Sequence, residues 1–223
     1  MKKLGLVGIG QTTERDFVPV IRDIVGKDVE LVVRGALDGL TDVQLAEAAA
    51  GEGEHPVVTE LADGRSVRVS KPRLVPLINR VLQGMAADGV GLACLMCTGS
   101  FEGLEVPEGL TLLEGRRVID HAVLAVCPPG CRLGVLVPLP EQEPLSGGKY
   151  RDMGYEVVCG HANPYGSREE LLACAGKFRG CSAVVMHCMG YIREHRDIVA
   201  RAANVPVLEA NAVMGHLACE LLF

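Results

Sequence analysis

Leu92-Ala-Cys-Leu-Met-Cys-Thr-Gly-Ser-Phe101 reads as a buried strand that ends on a cysteine and runs at once into a Thr-Gly turn. Ala183-Val-Val-Met-His-Cys-Met-Gly-Tyr191 repeats the plan: an apolar run, a cysteine, one residue, a glycine, then an aromatic within two positions. The expectation that organises the rest of the reading is that Cys97 and Cys188 face each other across a cleft between two half-chains.

Outward from these stretches, apolar runs alternate with helix-period segments. Leu4–Gly10 suits a central strand, and the turn after it leads to a helix opened by Asp16 and running to about Val25. Val29–Val33 is a second strand, and Thr41-Asp-Val-Gln44 has the form of a capping box. His55–Ser70 breaks the rhythm: two strand-like runs flank Asp63-Gly64, a strong hairpin signal. Pro72–Ala87 reads as the next helix, with Leu74, Leu77, Ile78, Val81 and Leu82 at helical spacing; Pro76, which removes a backbone donor, leaves open a regular start only there. Cys127-Pro-Pro-Gly130 marks an internal break, after which strand and helix patterns alternate again to the end, with Ser167-Arg-Glu-Glu170 as a second capping box.

Strands alternating with helices predict an α/β fold of two pseudo-symmetric lobes, each a mostly parallel sheet flanked by helices, with a β-hairpin insertion at about 55–70. The expected division is an N-terminal lobe, 1–114, completed by 206–223, and a C-terminal lobe, 115–205.

Composition agrees. The chain has 223 residues, 48% hydrophobic and only 4% aromatic, with no Trp, so the core is aliphatic, as in parallel α/β proteins. A net charge of −6 and the lack of a basic cluster with interleaved aromatics exclude nucleic acid as the expected partner. No apolar run reaches the length of a membrane span, and the N-terminus reads as a first strand rather than a leader, so a cytoplasmic location is expected. The nine cysteines, scattered through strands and helices, read as reduced thiols and not as a disulfide framework.

Parallel sheets bind ligands beyond the carboxyl ends of their strands. A thiol there, before a glycine turn and a helix, meets backbone N–H groups and the positive helix end, which draw its pKa from about 8.5 toward neutrality. The same N–H groups can hold a carboxylate, and the glycine lets a ligand approach the backbone. Two such thiols would form a two-base site in which one removes a proton beside a carboxylate and the other supplies one from the opposite face, with neither metal nor cofactor. Each cysteine also has a packing explanation as a small buried hydrophobe. Cys94 and Cys97 match Cys-x-x-Cys, but along a strand the two point to opposite faces. His187 would point away from Cys188 for the same reason.

Leu4-Gly-Leu-Val-Gly-Ile-Gly-Gln-Thr-Thr-Glu-Arg-Asp16, Gly35-Ala-Leu-Asp-Gly-Leu40, Cys97-Thr-Gly and Cys188-Met-Gly-Tyr191 resemble the AroM family over essentially the whole chain. Its members are named for their genetic context, so the resemblance implies a fold more than a reaction. More distantly, the plan is similar to the aspartate/glutamate racemase superfamily, which includes amino-acid and hydantoin racemases, maleate isomerases and arylmalonate decarboxylases. That resemblance implies a cofactor-free active site between two lobes. It assigns Cys97 and Cys188 as the catalytic pair, Thr98 and Gly99 as one cradle, and Gly190 with Tyr191 as the other. Gln11 and Thr12 fall where that superfamily contacts substrate, and Val205-Pro-Val-Leu-Glu-Ala210 resembles its closing segment, with Glu209 near the mouth. Arg15 is placed to clamp a second carboxylate, or else is a solvated first-turn residue. Two departures stand out: Met189 follows Cys188 where the racemases carry Thr or Asn, and the Asp-Ser pair after the first strand is missing.

Three readings follow. The leading one is a cofactor-independent racemase, isomerase or decarboxylase of a small carboxylic acid. The alternative is a binding or regulatory protein that keeps the cleft and turns nothing over. The third is a thiol redox protein using Cys94 and Cys97. A homodimer is expected by analogy alone.

Overall fold

The computed structural model describes residues 2–13, 17–54 and 56–223. The chain divides into two compact units: Met1–Arg116 with Met214–Phe223, and Arg117–Val213.

The first unit contains β1 (Lys2–Gly8), α1 (Phe17–Val25), β2 (Val29–Gly35), α2 (Asp42–Ala48), β3 (Val57–Glu60), β4 (Ser66–Val69), α3 (Lys71–Ala87), β5 (Leu92–Leu95) and β6 (Thr111–Glu114). Its sheet has the order β2-β1-β5-β6, with every pairing parallel. β3 and β4 form the expected antiparallel hairpin, Val57 opposite Val69 and Glu60 opposite Ser66. α2 starts with the capping box: Thr41 Oγ1 accepts the Gln44 N–H, and the Gln44 side chain accepts the Thr41 N–H. Such a cap stabilises a helix by about 1 kcal/mol.

α3 matches the expected helix over Pro72–Ala87 to within one residue: it begins at Lys71 and runs through Pro76 without a later regular start. Pro72 lies in the first turn, where no N–H partner is needed, so it starts the helix. Pro76 forfeits one bond, which the burial of Leu74, Ile78, Val81, Leu82 and Met85 along one face offsets.

α4 (Gly115–Val126) carries the chain across the division. The second unit then holds β7 (Arg132–Val137), α5 (Glu143–Asp152), β8 (Glu156–His161), α6 (Arg168–Ala175), β9 (Ala183–Met186), α7 (Arg193–Ala203) and β10 (Val207–Glu209). At the start of α6 the Ser167 hydroxyl accepts the Glu170 N–H. The sheet order is β10-β9-β7-β8, again all parallel. α8 (Ala210–Leu222) leads back to the first unit, where Gly215 packs against Ile21 and Ile24 of α1.

Counted by order of appearance among the sheet strands, both sheets run second, first, third, fourth. The registers match as well. Leu4-Gly5 lies opposite Leu92-Ala93, and Leu133-Gly134 opposite Ala183-Val184. In each unit a glycine of the first strand makes room for a bulky side chain: a Cβ on Gly5 would sit 2.7 Å from Met85 Sδ, and one on Gly134 would sit 2.8 Å from the Phe178 ring. Met85 and Phe178 occupy the segments that lead into the third strands. The first unit's core gathers Val7, Ile78, Leu82, Met85, Ala93 and Leu95, and the second's gathers Leu136, Phe178, Val184, Met186 and Val199. Among the described residues no helix is long and apolar enough to cross a membrane.

Candidate active site

The thiols lie just past the third strands, not within them. β5 ends at Leu95 and β9 at Met186, each two residues before its cysteine. One further ladder bond forms in both units: the Met96 N–H donates to Val7 O at 2.9 Å, and the His187 N–H to Leu136 O at 2.8 Å. Beyond it the backbone turns, and each sulfur then accepts a hydrogen bond from the glycine two residues on. Gly99 N–H donates to Cys97 Sγ at 3.3 Å, and Gly190 N–H to Cys188 Sγ at 3.3 Å. Both glycines sit in tight places. A Cβ on Gly99 would lie 3.3 Å from Cys97 Sγ, and one on Gly190 would lie 3.0 Å from Pro164 and the Tyr165 hydroxyl.

The two surroundings differ. Cys97 is 8% exposed and joins the apolar core, whereas Cys188 is half-buried. Burial pushes the Cys97 thiol up to about 11, outweighing the Gly99 N–H and the Lys71 ammonium, which pull it down. The expected depression toward neutrality therefore does not hold for Cys97: one N–H bond and one cation do not replace the water a thiolate loses there. Thr98 is also buried.

The segment after β1 is tied within its own unit. Thr12 Oγ1 donates to Asp38 Oδ2 and accepts the Gly35 N–H, while the Thr12 N–H donates to Asp38 Oδ1. Gln11 Oε1 accepts the Ala62 N–H at 2.9 Å, and Gln11 Nε2 reaches Leu37 O at 3.4 Å. Arg15 and Asp16 lie outside the described residues, and with them the proposed carboxylate clamp and the helix start.

In the second unit Tyr191 is buried, and its hydroxyl donates to Ala162 O at 2.7 Å. Asn211, fully buried, donates through Nδ2 to Met189 O and Tyr191 O at 2.9 and 2.8 Å. It thereby staples the loop that carries Gly190. Glu209 is 2% exposed; its carboxylate has no hydrogen-bond partner among the described residues, and Arg196 Nη1 stands 3.9 Å away. Burial raises the Glu209 pKa, with Arg196 and Arg193 opposing.

Sequence reasoning missed Asn211 and a polar cluster around His187, the residue before Cys188. Lys149 Nζ donates to Asp120 Oδ1 at 2.5 Å and lies 3.1 Å from His187 Nε2, and the Tyr150 hydroxyl donates to Asp120 Oδ1 at 2.9 Å. His187 is thus a member of an ordered network, not an isolated surface or packing residue. No spacing rule joins side chains from α4, α5 and the end of β9. Asn211 carried a weak signal, a polar residue at the start of a helix. Among the described residues no group of three or more His, Cys, Asp or Glu is placed to hold a metal ion, and none of the nine cysteines forms a disulfide.

The family model for the AroM protein matches residues 4–222. The chain belongs to the AroM family. None of the curated proteins matches this AroM protein. Its structure is similar to that of an allantoin racemase from Klebsiella pneumoniae, at 13% identity and TM-score 0.61, over 99% of this chain and 87% of that one. It is similar to the maleate isomerase Iso from Pseudomonas putida S16, at 11% identity and TM-score 0.62, over 99% and 92%. It is also similar to an arylmalonate decarboxylase, at 13% identity and TM-score 0.61, over 99% and 91%. At such identities the likeness is one of fold: this AroM protein has the α/β fold of these racemases, isomerases and decarboxylases.

Proposed function

We propose that this AroM protein is a cofactor-independent racemase, isomerase or decarboxylase of a small carboxylic acid, with Cys97 and Cys188 as its acid–base pair. The observation that carries the reading is the repeated thiol setting. In two units of the same strand order, a cysteine two residues past the third strand accepts an N–H bond from a glycine two residues further on. Packing alone does not call for that repetition.

The chemistry runs as follows in the racemase form. The Cys188 thiolate takes the proton from the carbon beside the carboxylate, and the electron pair moves into the carboxylate as an enolate-like charge. Backbone N–H groups at the strand ends stabilise that charge. Cys97 then delivers its thiol proton to the opposite face, leaving Cys188 as thiol and Cys97 as thiolate, and the reverse turnover restores both. In a decarboxylase the carbon–carboxylate bond breaks instead, carbon dioxide leaves, and the thiol protonates the carbanion. We assign Cys97 as the resting acid because burial keeps it protonated at neutral pH.

A second reading is a binding protein that turns nothing over. The depth of Cys97 and the apolar Met189 in the second cradle favour it. A small carboxylate is the ligand in both readings, and a cytoplasmic homodimer is proposed by analogy. Exchange of an α-proton with deuterated water, followed by NMR across a panel of small acids, separates the two. The enzyme reading expects exchange of at least one acid, lost in Cys97→Ala and in Cys188→Ala. Exchange that survives both substitutions would eliminate the thiol pair, and no exchange of any acid that binds would favour the second reading.

A further inference from the structure

The position before the thiol is where the two units part. Met96, buried, precedes Cys97, and His187 precedes Cys188. Both backbones make the same ladder bond, so the side chains hold equivalent places in the two sheets. Met96 is apolar and 2% exposed. His187 meets Lys149 at 3.1 Å and stands edge-on to the Tyr150 ring, with centroids 6.0 Å apart. Lys149 is in turn fixed by Asp120 at 2.5 Å, and its ammonium lies 4.3 Å from the Tyr150 ring centroid. Tyr150 is fully buried, and Asp120 and Lys149 are mostly so.

An ammonium has donors and no acceptor. A hydrogen bond between Lys149 and His187 Nε2 therefore needs the Nε2 lone pair, which leaves the proton on Nδ1 and the ring neutral. Asp120 keeps the ammonium in place by accepting from both Lys149 and Tyr150 on one oxygen. The group ties α4 and α5 to the side chain one residue before a candidate catalytic sulfur, with the Lys149 ammonium 3.1 Å from that ring.

We propose that Asp120, Lys149 and Tyr150 hold His187 as the neutral Nδ1–H imidazole, and that this cluster positions and electrostatically favours the thiolate of Cys188 alone, making the two thiols unequal partners. The part concerning Cys188 rests on the thiol-pair reading; the state of His187 does not. Lys149, Asp120 and Tyr150 are positioning residues, acting through His187 and the peptide that joins it to Cys188.

Two measurements test this in the full chain. In 15N-detected imidazole NMR of the wild-type protein, His187 shows an unprotonated Nε2 and a protonated Nδ1 at neutral pH. In Lys149→Met the ring shifts toward the Nε2–H form that a free imidazole prefers, and iodoacetamide modifies Cys188 about tenfold more slowly, as loss of a nearby cation raises a thiol by about one pH unit. Lys149→Arg restores most of the rate, and Cys97 labelling is the same in all variants. A wild-type His187 protonated on Nε2, or Cys188 labelling unmoved in both Lys149→Met and His187→Gln, would overturn the proposal. The NMR readout on the unaltered protein stands even if a variant does not fold. Neither measurement needs turnover, so failure of α-proton exchange with the cluster confirmed sinks the reaction and not the network.

Discussion

The deep thiol gives the sharpest quantitative test. Burial pushes Cys97 up to about 11 against 9.0 for an ordinary thiol. At pH 7.5 this leaves about 100-fold less thiolate than on an exposed cysteine, since the thiolate is the reacting form. The gain in intrinsic nucleophilicity with rising pKa returns roughly eightfold of that. Cys97 should therefore react with iodoacetamide about tenfold more slowly than an exposed thiol, before any loss from restricted access. The pH profile is more telling than the absolute rate. The logarithm of the Cys97 rate should climb with unit slope through pH 9, where ordinary thiols level off, and bend only near pH 11. Peptide mass spectrometry after timed quenching at each pH reads the rate, with Cys188 in the same sample as internal reference. Lys71 supplies a second handle: its ammonium draws the thiol down, so Lys71→Met should move the bend further up. A Cys97 profile that levels off at or below pH 9 would refute the claim that desolvation governs this sulfur, and with it the assignment of Cys97 as resting acid.

Gly134→Ala should cost about 1–3 kcal/mol by overpacking, because the new methyl meets the Phe178 ring and Val184 Cγ2 at 2.8 Å and the buried ring has nowhere to go. Gly5→Ala presses chiefly on Met85 Sδ at 2.7 Å, a flexible thioether, so urea unfolding should rank it the milder of the pair; the reverse order would refute the packing argument. Asn211→Ala strands two buried carbonyls, Met189 O and Tyr191 O, and should cost about 2–4 kcal/mol, with a loss under about 0.5 kcal/mol counting against the staple. Alkaline stability follows from Cys94, which burial pushes up to about 12. Its folded pKa lies above the unfolded value of 9.0, so its contribution is intact below pH 9 and lost as pH rises toward 12, a fall of up to about 4 kcal/mol. Urea midpoints from pH 8 upward should decline more steeply in the wild type than in Cys94→Ala, and parallel declines would exclude this thiol as a cause.

Periodicity made the layers legible, because both signals involved are local. Apolar runs such as Leu92–Leu95 and helical stripes such as Leu74, Ile78 and Val81 are fixed by which faces must leave water. The hairpin and the Thr41 cap were legible for the same reason: Asp63-Gly64 and Thr41-x-x-Gln44 act within a few residues of themselves. The strand ends were read two residues too long, as far as the cysteines. Hydrophobicity continues through Met96 and Cys97, but pairing does not, and only the ladder decides where a strand stops. The span of the helix through Pro76 was legible, but whether it stays regular there was not, because the lost bond is local, whereas the buried face that outweighs it is a property of the packed unit.

What the sequence withheld about the candidate site is tertiary in kind. A cysteine before a glycine turn argues for a lowered pKa, yet the sign at Cys97 is set by the side chains that exclude water around it. The cluster at His187 gathers Asp120, Lys149 and Tyr150 from two helices, and no residue of it shares a pattern with another. The two units repeat a strand order, a register, a glycine and a Cys-x-Gly turn with almost no repeated side chains between. Backbone geometry needs only those few positions held, so the remainder is free to diverge. That freedom lets one copy of the turn place its cysteine in an apolar core while the other follows a histidine that meets a lysine. Under the proposed chemistry, a repeated scaffold diverging in this way would supply two unequal sulfurs, as a reaction that takes a proton with one group and gives one with another requires.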